Sequence, residues 1–309
     1  MQQPKVAFLS INTGSYDTFF KAVFAHNQQN FLPDCQVQYF VFTDSEDLAT
    51  TYANTENVTL IPQEHLAWPG ATLHRFKMFN RPEVRELLSE YDYVFFANAN
   101  WYAKNPILGK NFLQPATGDA SKDLYLVYHY GQNAVPEAAK SYERNPQSLA
   151  YIPENATTTY VAGGFFGGTS AAFMHMIATL ERNIDFDLAK GIIALWHDES
   201  HLNHYLYTTG YQAHIMPPIF MVPQEYHPIS SYIGERPEWL GVCLNKNLLV
   251  QDLNALRNKQ VGFSLEQIQQ LLEHEKDLDA IWREQRAEFE PYWQQNLGFV
   301  GLIYNQVEQ

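Results

Sequence analysis

The chain has 309 residues, 46% of them apolar, enough to bury a substantial core as one large domain or one domain with an appendage. Its formal net charge of -14 argues against a general binder of phosphate backbones, so no nucleic-acid partner is expected, although a nucleotide could still bind where a few cations gather in one cleft. Cys35 and Cys243 are too few for a disulfide framework, the N-terminus has no signal-type pattern and no run approaches a bilayer span, which together predict a cytoplasmic protein with no transmembrane segment.

Lys5 to Ile11 is a continuous apolar run closed by Asn12-Thr13-Gly14-Ser15, which reads as a buried strand and a tight turn. Helical spacing follows from Tyr16 to Phe31 through Phe19, Phe20, Val23 and Phe24, and Val37 to Thr43 reads as a second strand. Strand, helix, strand is how a parallel α/β domain opens. In such sheets ligands sit beyond the carboxyl ends of the strands, so the Asn12 to Tyr16 turn is a candidate nucleotide contact, with Tyr16 able to stack on a base. The turn carries neither the glycine-rich dinucleotide fingerprint nor the phosphate-loop pattern.

Val58 to Ile61 is a further strand, Trp68-Pro69-Gly70 a turn, and a helix is predicted from about Thr72 to Leu88, bearing Arg75, Phe76, Lys77 and Phe79. Tyr93 to Ala97 is the most strand-like run and ends in Asn98-Ala99-Asn100. An acidic pair there would hold a divalent cation against a diphosphate, whereas two amides bring oxygen without charge; a sugar-nucleotide site built on them should work without metal. A polar turn that closes the strand explains the same residues. Leu124 to Tyr130 is another strand. Tyr160 to Gly168 then sets four glycines among aromatics, which fits either a sugar lying against the backbone or tight sheet packing.

Trp196-His197-Asp198-Glu199-Ser200-His201-Leu202-Asn203 concentrates polar chemistry after the apolar run from Gly191 to Leu195. It reads as a helix start capped by Asp198 or Ser200, burying Leu202, Tyr205 and Leu206. It also reads as a metallohydrolase site on His197 and His201, four apart, although the zinc-peptidase pattern wants Glu where Asp198 stands. A third reading is a sugar site in which Asp198 binds hydroxyls and Glu199 faces an anomeric carbon beside a Trp platform, since carboxylates stabilise an oxocarbenium-like charge.

Taken together, Tyr39-Phe40-Val41-Phe42-Thr43-Asp44, the Tyr91 to Asn100 strand, Tyr142-Glu143-Arg144 with Ala150-Tyr151-Ile152-Pro153, Tyr160 to Gly168 and Trp196 to Asn203 resemble glycosyltransferase family 6, in family order over roughly residues 5 to 210. The resemblance implies a Rossmann-like α/β nucleotide-sugar fold of the GT-A type and a retaining transferase moving GalNAc, less readily Gal, from UDP to a galactoside oligosaccharide, with a fucosylated acceptor and a blood-group-A-like product. It implies uridine contacts from the backbone of Ile11, Asn12 and Thr13 and stacking from Tyr16, and donor contacts from Trp68, Thr72 and Arg75, the last with a phosphate role. Asn98, Ala99 and Asn100 stand where animal members bind metal, and the bacterial members they match are taken to need none, so no cofactor is expected. Ala162, Gly163 and Gly164 stand where the family discriminates donor sugars, and small side chains there leave room for an N-acetyl group. His129, Ser141 and Trp196 match acceptor contacts. Asp198 matches the residue that binds donor-sugar hydroxyls, and Glu199 the family's nucleophile or cation stabiliser.

Met216-Pro217-Pro218-Ile219-Phe220 departs from the family's Ser-Pro segment, leaving the acceptor open, and a sugar-binding module without turnover remains an alternative that the intact Asp198-Glu199 pair opposes. Beyond residue 230 the resemblance ends. Lys246, Arg257 and Lys259 are candidate tail cations for the diphosphate. Ser264 with Gln267 makes a capping box, and Ile268, Leu271, Leu272, Leu278, Ile281, Trp282 and Phe289 continue at helical spacing. A catalytic domain over 1–230 is therefore expected, with a mostly helical extension over 231–309 packed on it or forming a homo-oligomer contact.

Overall fold

Strand β1 (Lys5–Ile11) is buried from Val6 to Ser10 because it runs parallel between β2 (Gln36–Thr43) and β4 (Tyr93–Ala97). A computed structural model describes residues 3–113, 123–209, 213–225 and 236–284. With β3 (Val58–Pro62), β6 (Leu124–Tyr128), β7 (Val161–Thr169) and β8 (Ala213–Met216), these strands form a seven-stranded sheet in the order β3-β2-β1-β4-β7-β6-β8. Only β7 runs against its neighbours. The mixed sheet with helices on both faces is the predicted α/β nucleotide-sugar fold.

Side-chain alternation divides the core in two. On one face Phe95 meets Phe31, Phe112, Tyr125 and Phe165; on the other its neighbour Phe96 meets Phe79 and Phe166. The helix Asp17–Asn30 covers the first face, as the spacing of Phe19, Phe20, Val23 and Phe24 predicts. The second face is covered by Ser170–Ala189, capped by the Thr169 hydroxyl accepting from the Ala172 amide at 3.4 Å.

The helix predicted from Thr72 to Leu88 is three short helices, Gly70–Leu73, Arg75–Phe79 and Pro82–Leu88. Arg81 is extended, as a residue preceding proline prefers, and Pro82 starts the next helix where its missing N–H costs nothing. His74 and Asn80 take the bridge conformation, at φ -97° ψ 9° and φ -89° ψ 3°. These breaks aim Arg75 at the end of the sheet instead of at solvent.

A smaller sheet joins β5 (Trp101–Ala103) to β10 (Gly241–Cys243) and β9 (Val222–Pro223). Strand β10 lies beyond the boundary expected at residue 230, which itself falls outside the described residues, so the chain after it contributes to the core rather than only covering it. The capping box forms, with the Ser264 amide donating to Gln267 Oε1 at 2.8 Å, and the helix runs from 265 through the last described residue, 284; Phe289 lies outside the described residues. Ile268, Leu271 and Leu272 pack on the first core. Lys104 donates to Glu275 and Asp279 at 2.7 Å each, and Arg236 to Glu275 at 2.8 Å, so a buried charge cluster fixes this helix in one register. No helix among the described residues is long and apolar enough to cross a membrane.

Candidate active site

The carboxyl ends of β1 and β4 open into a cleft of about 860 Å³, counting the part open to solvent. Ile11, Thr13, Tyr16, Trp68, Thr72, Arg75, Asn98, Ala99 and Asn100 line it, as do Lys246 and Arg257 from the far end of the chain. The Asn12 side chain does not face it: its amide turns inward and donates to Ser10 Oγ at 2.7 Å. Arg257 lies 3.9 Å from the Trp68 ring centre and reaches Tyr16, and Lys246 lies 5.5 Å from the Tyr16 ring centre. Lys259 is spent elsewhere, on Asp44. Among the described residues Lys246 has no carboxylate partner; burial, then the Arg257 charge, lower its pKa to about 8. An acidic protein has thus gathered cations where a diphosphate would need them.

The Asn100 amide after β4 is a structural donor as well as a cleft wall. Asn100 Nδ2 donates to the Leu244 carbonyl at 2.7 Å while the Asn100 carbonyl accepts from the Leu244 amide at 2.9 Å. A carboxylate at 100 would set two acceptors against each other, so the amide is what holds the Lys246 segment against the sheet. His65, which sequence reasoning missed and no motif signals, ties the other side. Its Nε2 donates to the Arg257 carbonyl at 3.0 Å, leaving Nδ1 to accept from the Thr13 hydroxyl at 3.3 Å.

The cleft continues past Trp68, Thr72, Arg75 and Asn98 into a second pocket lined by Gly163, Gly164, Trp196, Asp198, Glu199 and Met221. Arg75 is its floor. The guanidinium pairs with Asp198 at 2.7 Å, donates to the Gly163 carbonyl at 2.7 Å and to Asn98 Oδ1 at 3.3 Å, and lies 4.3 Å from the Phe96 ring centre. The expected phosphate role is therefore shared with a structural one: Arg75 holds Asp198. Glu199 Oε1 accepts from the Tyr160 hydroxyl at 2.9 Å, and Oε2 accepts from the Gly163 amide at 2.7 Å. Burial, then the Glu199 charge, hold the Tyr160 phenol well above its usual range, so it remains a donor. Tyr160 is a site residue legible only as the opening of the glycine motif.

The glycines divide between the two explanations open at the sequence level. A Cβ at Gly163 would come within 3.0 Å of Glu199 Cβ, and one at Gly164 within 2.7 Å of Asn98 Nδ2, so these two serve the site. Gly167 and Gly168 press against Phe95 and the Asp123 carbonyl, which is sheet packing.

Helix Asp198–Thr209 starts at Asp198, so neither proposed cap precedes it; the Asp198 carboxylate instead pairs with Arg75, and Ser200 Oγ accepts from the Trp196 amide at 2.9 Å. Trp196, 49% exposed, stands at the pocket rim. His197 precedes the helix with φ 52° and packs against Trp68, whereas His201 is buried 3.6 Å from Asp187. The two imidazoles share no site, and among the described residues no group of three or more His, Cys, Asp or Glu side chains could hold a metal ion. The metallohydrolase alternative has no ligand set on this face.

Of the other acceptor residues, His129 lines a third, adjoining pocket with Tyr130, Ala162 and Met221. Its Nδ1 accepts from the Gln132 amide at 3.3 Å, which leaves the Nε2 proton available as a donor. Ser141 is tied to Gln132, its hydroxyl accepting from Nε2 at 3.2 Å, behind that pocket rather than in it.

Burial raises the Asp198 pKa to about 6, with Arg75 opposing the shift. Asp198 is thus ionised only above about 6 and Lys246 charged only below about 8, and kcat/KM should be bell-shaped between those values, as rates across pH 5 to 9 would show. The stability signs run the other way. The raised Asp198 value favours the neutral acid, a contribution lost as pH rises through about 6, and the lowered Lys246 value favours the neutral amine, a contribution lost as pH falls through about 8. The working window is where both groups are charged at a cost to the fold.

A cationic cleft running into a pocket with two buried carboxylates fits one class, the glycosyltransferases. Comparison with known proteins gives the family: the model of glycosyltransferase family 6 matches residues 2–232, and the chain belongs to that family. It is 31% identical over 236 residues to an O-antigen biosynthesis glycosyltransferase, WbnI, of Escherichia coli, covering 75% of this chain and 95% of the relative. It is 30% identical over 194 residues to histo-blood group ABO system transferase 1 of Rattus norvegicus, covering 62% of this chain and 53% of that one. Globoside alpha-1,3-N-acetylgalactosaminyltransferase 1 of Canis lupus familiaris is 30% identical over 193 residues, again 62% of this chain and 53% of the relative. The chain spans about half the length of these two animal relatives.

Proposed function

We propose that this chain is a retaining α-1,3-glycosyltransferase that moves GalNAc, in preference to Gal, from UDP to a fucosylated galactoside, and needs no metal ion. The observation that carries the reading is the Glu199 carboxylate, held by Tyr160 and Gly163 in the wall of a pocket whose floor is the Arg75–Asp198 pair. The name of the globoside relative, an alpha-1,3-N-acetylgalactosaminyltransferase, supports the sugar and linkage.

Uridine would lie against Tyr16 at the β1 turn, with the diphosphate beside Lys246 and Arg257. As the bond from the anomeric carbon to UDP oxygen lengthens, negative charge grows on the diphosphate, and these fixed cations stabilise it. Positive charge grows on the sugar carbon, where Glu199 stabilises it either as a nucleophile or as a neighbouring anion. Asp198 accepts from sugar hydroxyls with the oxygen lone pairs that Arg75 leaves free. Lys246→Ala should lower kcat on the order of 10²-fold with little change in thermal stability, because it removes one donor to the leaving group; equal turnover of the variant and the parent would refute that role.

UDP release from UDP-GalNAc and UDP-Gal, with and without a fucosylated galactoside, tests the reading in EDTA. Turnover of UDP-GalNAc in chelator is the expected result. Release restored only by added divalent ion overturns metal independence, and release from neither donor overturns the function.

A further inference from the structure

Met221 lines both the pocket that holds Asp198 and Glu199 and the pocket that holds His129, and it directly follows the segment from Met216 to Phe220 where this chain departs from the family's Ser-Pro pattern. The structure assigns to Met221 the partition between the donor-sugar and acceptor subsites, making it a specificity-determining residue of the transfer proposed above, on which this inference rests.

The main chain around Met221 is fixed. Its amide donates to the Pro218 carbonyl at 2.9 Å, the Leu240 amide donates to the Ile219 carbonyl at 2.9 Å, and the Trp101 indole donates to the Phe220 carbonyl at 2.8 Å. Val222 follows at once in β9, paired with Val242. What remains free to move is the side chain, a half-buried thioether with three rotatable bonds, suited to a wall that must fit more than one occupant.

The thioether lies directly over Gly164. A Cβ at 164 would press against Met221 Cε and stand 2.9 Å from Sδ. The room that the small residue at 164 makes is therefore taken up by Met221, and the other small residue, Ala162, lines the acceptor pocket instead. Space for the substituent at carbon 2 of the donor sugar is set by where the Met221 methyl swings. An apolar wall at that point contacts an acetamide methyl better than a hydroxyl, and in the absence of acceptor it keeps water from the anomeric carbon.

Met221→Ala should lower the ratio of transfer to hydrolysis of UDP-GalNAc about tenfold and shift the preference for UDP-GalNAc over UDP-Gal toward parity by a similar factor. Gly164→Ala alone should lose most turnover and melt lower than the parent. The double variant, Gly164→Ala with Met221→Ala, should recover part of both; the recovery is partial because the new methyl still meets Asn98 Nδ2. Unchanged ratios in Met221→Ala, or a double variant as impaired as Gly164→Ala alone, overturn the assignment. If the parent enzyme releases UDP from neither donor, the functional reading has failed, and the melting temperatures of the same variants still decide whether Met221 and Gly164 share one space.

Discussion

Replacing Glu199 with Gln is expected to lower kcat on the order of 10³-fold while KM for UDP-GalNAc changes little. The amide keeps the shape of the side chain and can still accept the Gly163 amide, so the pocket stays formed; what is lost is the negative charge facing the sugar carbon. Burial raises the Glu199 pKa, which means that the folded chain prefers this group neutral. The variant should therefore melt at the same temperature as the parent or higher, and a loss of activity could not be blamed on unfolding. Tyr160→Phe separates charge from positioning: it removes a hydrogen bond to Oε1 but leaves the carboxylate in place, and should cost about tenfold, as one lost donor near the reacting atoms does. A Glu199→Gln enzyme within tenfold of the parent would show that another group meets the developing cation. A glycosylated Glu199 peptide trapped by mass spectrometry would show attack by the carboxylate itself.

The sheet was legible where apolar runs are unbroken: β1 and β4 begin and end where their apolar runs do, because both are buried on two faces and flanked by polar turns. Ser170–Ala189, with no element predicted, carries a readable signal in Phe173, Met176, Ile177, Leu180 and Ile184. The single helix predicted across Thr72 to Leu88 failed partly on local chemistry, since Pro82 disfavours the helical state at Arg81 before it. The candidate site was legible as residue types and only partly as roles. Asp198 and Glu199 announce themselves, yet nothing in the chain says that Asp198 pairs with Arg75, because the two meet only when the helix break at His74 turns Arg75 toward the start of β7. Asn100 shows the same limit. Its lack of charge is visible in the sequence, but its bond to Leu244, which holds the Lys246 segment in place, depends on a contact across 144 residues.

The Arg75–Asp198 pair is expected to give the largest change in stability. Arg75→Met keeps an apolar stem over Phe96 but strips the cation from two adjacent buried carboxylates, and breaking a buried pair by removing one partner costs about 3–5 kcal/mol. A large fall in melting temperature should accompany a loss of kcat on the order of 10²-fold or more. Asp198→Asn added to Arg75→Met removes the stranded charge, and should return much of the lost stability, since a buried pair replaced on both sides is often close to neutral. Activity should not return with it, because the carboxylate that accepts from sugar hydroxyls is gone as well. Two outcomes would count against this account: a double variant no more stable than Arg75→Met, which would mean that Arg75 supports the fold through the Gly163 carbonyl and Asn98 rather than through charge, or a double variant that regains turnover, which would mean that Asp198 is needed only as the counterion of Arg75. Recovery of stability without activity is the signature of an ion pair kept in the interior for what it does to substrate.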